Sequence, residues 1–347
     1  MGPQSKSGDA ICLRFGPDLT SRYPTQTVVV IDGGFSGDGA RVVEHVRTHY
    51  RADKIDLVIS THPDSDHING LHKVLDDIEV EELWVHKAWD HSQGMADLFS
   101  DGRVTDNSLG ERLREALNGA HVLSEKATRQ GTRVIEPFQG ITDLSGSLIV
   151  LAPYVNYYEA LLLNLLENRR SPSAPASIKE AAARASVYEW PEHETLTDDG
   201  EVSTVNNTSV VTLFQYDNQK VLFTADAGAG SLERAIDVLE DDYRIPTSSL
   251  NYIQVPHHGS RRNIGPTLLN RLLGRPLHHE EKLRVAFASA AVNGAPKHPS
   301  KRVLNAFRRR GAPVWVTAGT HWCISHGVQR AGWGPRDPEP FHFAFEE

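Results

Sequence analysis

The apolar residues of this chain fall into short runs, and most of these runs end in a polar turn that carries an acid or a histidine. Thr27 to Ile31, TVVVI, is a β-branched run that reads as a buried strand delivering Asp32-Gly33-Gly34. In Ala40 to Tyr50, Val42, Val43 and Val46 lie near one face and predict a helix that starts close to Asp38 or Gly39. Ile55 to Ser60 predicts a second strand, running straight into Thr61-His62-Pro63-Asp64-Ser65-Asp66-His67. Val80 to Val85 reads as a further short strand and Leu109 to Leu117 as a short helix.

The texture changes between about Ala152 and Val205. A hydrophobic helical patch at Tyr158 to Leu166 leads into SPSAPAS, an Ala-rich stretch and the acidic turn Asp198-Asp199-Gly200. Residues 155–200 therefore read as an insertion or lid within one domain that spans 1–347, because strand-like segments resume beyond them. Those segments are Ser209 to Phe214, Lys220 to Thr224, Leu250 to Val255, Val285 to Ser289 and Pro313 to Thr317, with helices before Leu239 and over Ser300 to Arg310. Strands and helices alternate in both halves, so two sheets covered by helices bury the pattern naturally.

Composition narrows the class. Lys and Arg number 36 against 45 Asp and Glu, a formal charge of -9, which argues against a generally basic nucleic-acid coat but leaves room for a local basic groove. Cys12 and Cys323 are the only cysteines, so no disulfide framework or thiolate zinc cluster is expected, and a reducing, cytoplasmic setting fits. The chain shows no signal-peptide pattern and no apolar run of membrane-spanning length, so no membrane association is expected.

Four strong ligands for divalent cations lie within six residues at His62, Asp64, Asp66 and His67. In an extended loop, His62 and Asp64 can turn to one ion while Asp66 and His67 diverge toward a second. The plainer alternative is a solvated loop with Asp64 or Asp66 capping a helix. Three remote strand exits weigh toward metal: Asp32, Asp226 in Thr224-Ala225-Asp226-Ala227, and His257-His258 in VPHHGS. Asp226, a lone acid leaving an apolar strand, is the candidate bridge between two cations, its alternative being an ordinary helix cap. For His257 and His258 the alternative is a hydrogen-bonded core pair, and at least one of them is expected to be a support or a substrate contact.

In this order the motifs resemble the metallo-β-lactamase superfamily, in the variant whose signature loop has aspartate for the second histidine. The likeness is nearer to the ComEC-type hydrolase domain, related to DNA internalisation, through Gly8-Asp9-Ala10, Asp32-Gly33-Gly34, the His62 to His67 loop, Asn206-Asn207-Thr208-Ser209, Thr224-Ala225-Asp226-Ala227, His257-His258-Gly259-Ser260, Asn293, His298-Pro299 and Thr317. The resemblance implies an α+β fold, an αββα sandwich of two mixed sheets flanked by helices. It implies two divalent ions, Zn or Mn, with His62 and Asp64 on the first, Asp66 and His67 on the second, Asp226 bridging and His257 completing the second. Asn207 and Asp32 would be weak ligands or supports. Three departures stand out: Ala225 where the family usually has Gly, Asn263 where a serine is common, and Pro296-Lys297 where Tyr-Gly often precedes His298.

Two such ions suit phosphodiester hydrolysis. Asp66 would orient the attacking water, and His258 or His298 would donate to the leaving group. Ser260, Arg261, Arg262, Asn293 and Lys297 are candidate substrate contacts, although charged turns are commonly no more than solvated faces. DNA or RNA is the expected substrate. A small phosphodiester, cyclic nucleotide or ester hydrolase is the alternative, and a noncatalytic metal-binding regulator is the third reading. The sequence indicates no partner protein. His86, His91 and His193 are expected at surface or packed positions, Trp84 and Trp89 as apolar support or substrate wall, and His321 and His326 beside Cys323 in an ordinary strand and turn.

Overall fold

The computed structural model describes residues 6–17, 26–99, 101, 103–168, 186–292, 294, 298–327 and 330–346. Five strands form the first sheet in chain order, β1 (Ile11–Phe15), β2 (Thr27–Ile31), β3 (Lys54–Ile59), β4 (Glu79–Trp84) and β5 (Arg133–Ile135). β1 is antiparallel to β2 and lies at the sheet's edge; the other pairs are parallel. Parallel neighbours require crossovers. These are α1 (Gly39–His45), extended by a π-turn to Tyr50, then α2 (Ser65–Asp77), and finally α3 (Asp106–Ala116) with α4 (Asn118–Arg129).

Period-two alternation in β2 and β3 sorts the side chains into two layers. Val28, Val30 and Val58 pack against Val42, Val46, Leu71, Val74 and Leu123 of the helices. Val29, Ile31, Leu57 and Ile59 face the other way, meeting Leu148, Val150, Phe214 and Phe223 of the second sheet.

The second sheet begins with β6 (Leu148–Ala152). After it, α5 (Val155–Asn168) packs Tyr158, Leu162 and Leu166 against Leu109 and Leu113 of α3. Next comes β7 (Ser186–Tyr188), then β8 (Val211–Tyr216), β9 (Gln219–Phe223), α6 (Ala229–Asp237), β10 (Tyr252–Gln254), α7 (Pro266–Leu273), β11 (Val285–Ala288), α8 (Lys301–Arg309), β12 (Val314–Val316) and β13 (Ala344–Glu346). The sheet order is β12-β11-β10-β9-β8-β6, while β13 and β7 make a separate antiparallel ribbon. Leu232, Ile236, Leu268, Leu272, Val303 and Phe307 from α6, α7 and α8 cover the outer face. The result is two mixed sheets with helices outside both, the α+β sandwich of metallo-β-lactamase type. Among the described residues, no helix is long and apolar enough to cross a membrane.

The expected insertion or lid at 155–200 lies partly outside the described residues. Of its described parts, α5 is packed as above, and Glu189 is fully buried, accepting from Asn305 Nδ2 at 2.6 Å and Arg309 Nη1 at 3.1 Å. A buried carboxylate paired and hydrogen-bonded in this way holds its segment to α8.

One correction bears on the site. Asp66 and His67 lie not in an extended loop but in the first turn of α2, whose apolar positions Ile68, Leu71, Val74 and Leu75 follow helical spacing. α2 is docked on the turn after β2: Gly33 N donates to His67 O at 2.7 Å and Gly70 N donates to Gly34 O at 3.0 Å. The approach leaves no room for a side chain, since a Cβ on Gly70 would lie 1.8 Å from Gly33 O. Gly70→Ala is therefore expected to push α2 off this turn and to cost about 3 kcal/mol. Chemical denaturation checks this; an unchanged midpoint would refute the close docking.

Candidate metal centre

Strand ends bring the site together. β2 delivers Asp32, β3 delivers Thr61 and His62, β9 delivers Asp226, and β10 delivers His257 and His258. Asp32, Ala225, His257 and His258 all have left-handed backbones, with φ of 56°, 45°, 49° and 55°. For residues other than glycine this is a strained region, occupied where surrounding structure over-determines it. Ala225 takes it at the position where glycine is usual in the resembling family.

The alternative roles raised for the acids do not match the geometry. Asp64 is at the N-cap position of α2, but its side chain makes no capping bond. Asp226 is not a cap either, because α6 begins at Ala229 behind Gly228. Both carboxylates are left to face the histidines: His62 Nε2 is 3.7 Å from Asp64 Oδ2 and 3.8 Å from Asp226 Oδ2.

The imidazoles share one orientation. Thr61 Oγ1 donates to Asp32 Oδ2 at 2.6 Å, so it accepts from His62 Nδ1 at 3.1 Å. His67 Nδ1 donates to Asp32 Oδ2 at 2.7 Å, and His258 Nδ1 donates to the carbonyl of Ser289 at 3.1 Å. Asn263 gives its amide to Asp226 O at 2.8 Å, which turns its oxygen to accept from His257 Nδ1 at 3.0 Å. In His62, His67 and His258 the Nδ1–H is engaged outside and Nε2 points inward, the tautomer that metal-ligating histidines need, while His257 Nδ1 lies between Asn263 Oδ1 at 3.0 Å and Asn206 Nδ2 at 3.1 Å.

Those inward atoms converge on Asp226. His67 Nε2 is 3.3 Å and His258 Nε2 4.0 Å from Oδ1; His257 Nε2 is 3.4 Å and His62 Nε2 3.8 Å from Oδ2. His258 Nε2 also lies 3.5 Å from Asp66 Oδ2. Two ligands on one ion at bond lengths of ~2 Å stand ~3–3.5 Å apart, a spacing met by His67 and His257 to Asp226 and by His258 to Asp66, while His62 and His258 stand a few tenths of an ångström further from Asp226. Buried Nε2 of His62, His67 and His258 and Oδ1 of Asp226 and Asp9 find no hydrogen-bond partner. Buried polar atoms left in this way are costly unless something else satisfies them. The ligand atoms fall into two closely spaced groups, Asp9-His67-Asp226-His258 and Asp32-His62-His67, each within 4.8 Å. Asp32 already accepts three hydrogen bonds from protein donors, two of them on Oδ2, whereas His62 Nε2 and His67 Nε2 of the second group have none. Together they make a dinuclear metal-binding site.

Electrostatics agree. Burial alone would keep His67 neutral, but the Asp226 and Asp32 carboxylates hold it well above the usual imidazole range. Burial likewise opposes a charge on His258, and Asp226 and Asp9 still raise it to about 9. Asp226 is driven up by burial and then held well below the ordinary carboxylate value by His67 and His258. Among the described residues, imidazole protons supply the positive charge that faces the buried carboxylates of this pocket.

Of the other anticipated residues, His298 is beside the cluster, its ring 5.7 Å from that of His257; burial, His257 and His258 lower it to about 4. Ser260 is buried in the same turn, and Arg261 and Arg262 are exposed just beyond it. Asn207 is turned to Gly228, while its neighbour Asn206 donates to Asp226 Oδ2 at 3.4 Å. Asn293 and Lys297 lie outside the described residues. His86 is buried against Tyr158, His91 lies between Glu136 and Glu159, and Trp84 is core; none of them joins the centre. Sequence reasoning passed over Asp9, Thr61, Asn206 and Asn263 as site residues. Asp9 lay within a quoted landmark and Asn263 at a noted departure, but their contacts span the chain.

Residues 23–125 match the metallo-beta-lactamase superfamily. No curated protein matches. Among solved structures, a mutant of the CmlA beta-hydroxylase aligns with 85% of this chain and 49% of its own at 13% identity and a TM-score of 0.39. CmlA itself, a diiron beta-hydroxylase from Streptomyces venezuelae, aligns with 78% of this chain and 38% of its own at 14% identity and a TM-score of 0.33. A Thermotoga maritima protein described as a metallo-beta-lactamase aligns with 64% of this chain and 76% of its own at 12% identity and a TM-score of 0.27. The chain thus spans about half the length of the first of these structures. Sheet architecture and the match over 23–125 agree on a metallo-β-lactamase superfamily fold.

Asp32 serves as acceptor to both His67 and Thr61. Its replacement, Asp32→Ala, is expected to weaken metal binding roughly 10–100-fold, read by chelator competition on folded protein. Affinity equal to wild type would remove Asp32 from the support of the site.

Proposed function

We propose that the protein is a dinuclear metal-dependent hydrolase acting on phosphodiesters, with DNA or RNA as its substrate class. The observation that carries the reading is the convergence of four inward Nε2 atoms on the two oxygens of Asp226. His62, Asp64 and His257 would share one ion with Asp226 Oδ2; Asp66, His67 and His258 would share the other with Oδ1, with Asp9 behind them. This moves His257 to the first ion and gives the second to His258, because each follows the Asp226 oxygen its Nε2 faces. Two imidazoles and two carboxylates per ion suit zinc and manganese alike.

When bound, such an ion pair activates water and stabilises charge on phosphoryl oxygens. Asp66 lies on the open side, its side chain 27% exposed and able to orient the water. His298, kept neutral, offers an N–H to the leaving oxygen rather than a full proton. Arg261 and Arg262 stand at the rim to meet phosphate oxygens.

Exposure supports a large substrate. Asp64 and His257 have side chains 43% and 30% exposed, whereas His62, His67 and Asp226 are buried, so the centre opens toward the arginine rim. The ComEC-type likeness leans the same way. A small-molecule hydrolase draws support from one contact, the packing of Gly200, at the end of the 155–200 stretch, on the backbone of Arg262.

Purified wild type and Asp226→Ala, loaded with zinc or manganese, are to be compared on linear DNA, RNA, cyclic nucleotides and a small phosphodiester. Polynucleotide cleavage that falls by at least ~1000-fold in the variant is expected, since the bridging acid serves both ions. Cleavage of the small substrates alone would transfer the reading to a small-molecule hydrolase. Two metals bound without turnover on any substrate would leave a binding or regulatory role.

A further inference from the structure

A cavity of about 1290 Å³ runs along the free edge of β1, between that strand, the inner face of the second sheet and the segment after β12. Its walls include Leu13, Phe214, Phe223, Phe287 and Trp322, and none of His62, His67, Asp226, His257 or His258. The volume exceeds the ~300–1,000 Å³ of ordinary small-molecule sites. It opens to solvent along one side, and polar residues such as Asp217, His326 and Arg330 share its lining with the apolar ones.

One wall of the cavity is cationic. Arg14 and Arg330 both lean on Tyr50, their guanidinium carbons 5.4 Å and 6.0 Å from its ring centre. Arg14 Nη1 donates to Tyr50 O at 2.9 Å, and Arg330 Nη1 contacts Cys323 Sγ at 3.0 Å. Among the described residues neither guanidinium has a carboxylate partner, and Arg330 Nη2 is buried with no acceptor at all. The surroundings add positive potential: burial, Arg330 and His49 push nearby His45 down to about 4. In a chain of formal charge -9, two guanidiniums that lean on one tyrosine with no carboxylate partner among the described residues form a local concentration of uncompensated positive charge suited to an anion.

We propose that this cavity binds an anionic amphiphile of fatty-acid size, its apolar body lying along β1 and the phenylalanines of the second sheet and its carboxylate meeting Arg14 and Arg330. The apolar walls supply area for burial and the guanidiniums supply orientation through charge-assisted hydrogen bonds. Occupancy does not depend on the metal centre or on the hydrolase reading.

The test is displacement of a fluorescent fatty acid from delipidated full-length protein by oleate, by oleyl alcohol and by octanoate, with folding followed by circular dichroism. Wild type is expected to bind oleate saturably and octanoate more weakly. Arg330→Gln should weaken oleate about tenfold or more while leaving oleyl alcohol unchanged. Leu13→Trp, which fills the cavity without touching the cationic wall, should weaken both long-chain ligands. Failure of folded wild type to bind oleate saturably would overturn the proposal, as would equal oleate affinity in wild type and Arg330→Gln.

Discussion

One buried carboxylate, Asp32, is what the arrangement of the metal centre depends on. It accepts from Thr61 N at 2.8 Å, from Thr61 Oγ1 at 2.6 Å and from His67 Nδ1 at 2.7 Å. Those three bonds tie the exit of β2 to the exit of β3 and to the first turn of α2. They also set two tautomers at once, because a Thr61 hydroxyl that has given its proton to Asp32 can only accept from His62. The close glycine contact between α2 and the β2 turn serves the same end, since it brings His67 within reach of Asp32. Removing either feature leaves the ligands present in sequence but without the direction that makes them ligands.

A second constraint follows from the first. Four nitrogen atoms aimed at one carboxylate cannot be delivered by regular strands, whose side chains alternate between faces. The chain meets this by leaving the β region at Asp32, Ala225, His257 and His258. The cost is local strain, and the surrounding hydrogen bonds over-determine it. Asn263 shows how: it holds the backbone carbonyl after Ala225 with its amide and orients His257 with its oxygen. The consecutive left-handed pair His257-His258 explains why adjacent histidines serve different Asp226 oxygens.

Much of this was readable from the residues. Apolar β-branched runs such as Thr27 to Ile31 and Ser209 to Phe214 announce strands because both faces of each sheet are covered, so nearly every position is apolar. The two-sheet sandwich follows from their alternation with helices. α2 escaped because Ser65-Asp66-His67 reads as a polar loop, although Ile68, Leu71, Val74 and Leu75 carry the helical spacing. The division of His257 from His258 was hidden for a different reason: it is decided by Ser289 and Asn263, partners that periodicity does not reveal. The same holds for Asp9, whose Oδ2 accepts from Gln254 Nε2 at 2.9 Å, a partner 245 residues away in the chain.

Charge shows the limit of reading composition. Arg308-Arg309-Arg310 looks like the basic end of a helix, yet Arg310 is 1% exposed and bidentate to Glu194, and Arg309 is committed to Glu189. These arginines fasten the 186–196 segment to α8 and offer nothing to an external anion. Arg14 and Arg330 are scattered in sequence and still converge on Tyr50 without an acid. What matters to a ligand is which charges remain uncompensated after folding. By that measure an acidic chain presents one anionic pocket suited to cations, around Asp226, and one cationic wall suited to an anion, beside β1. No residue assigned to metal lines the cavity, but the two meet at Ser289, whose carbonyl accepts from His258 Nδ1 while the residue lines the cavity, so one sandwich carries both side by side.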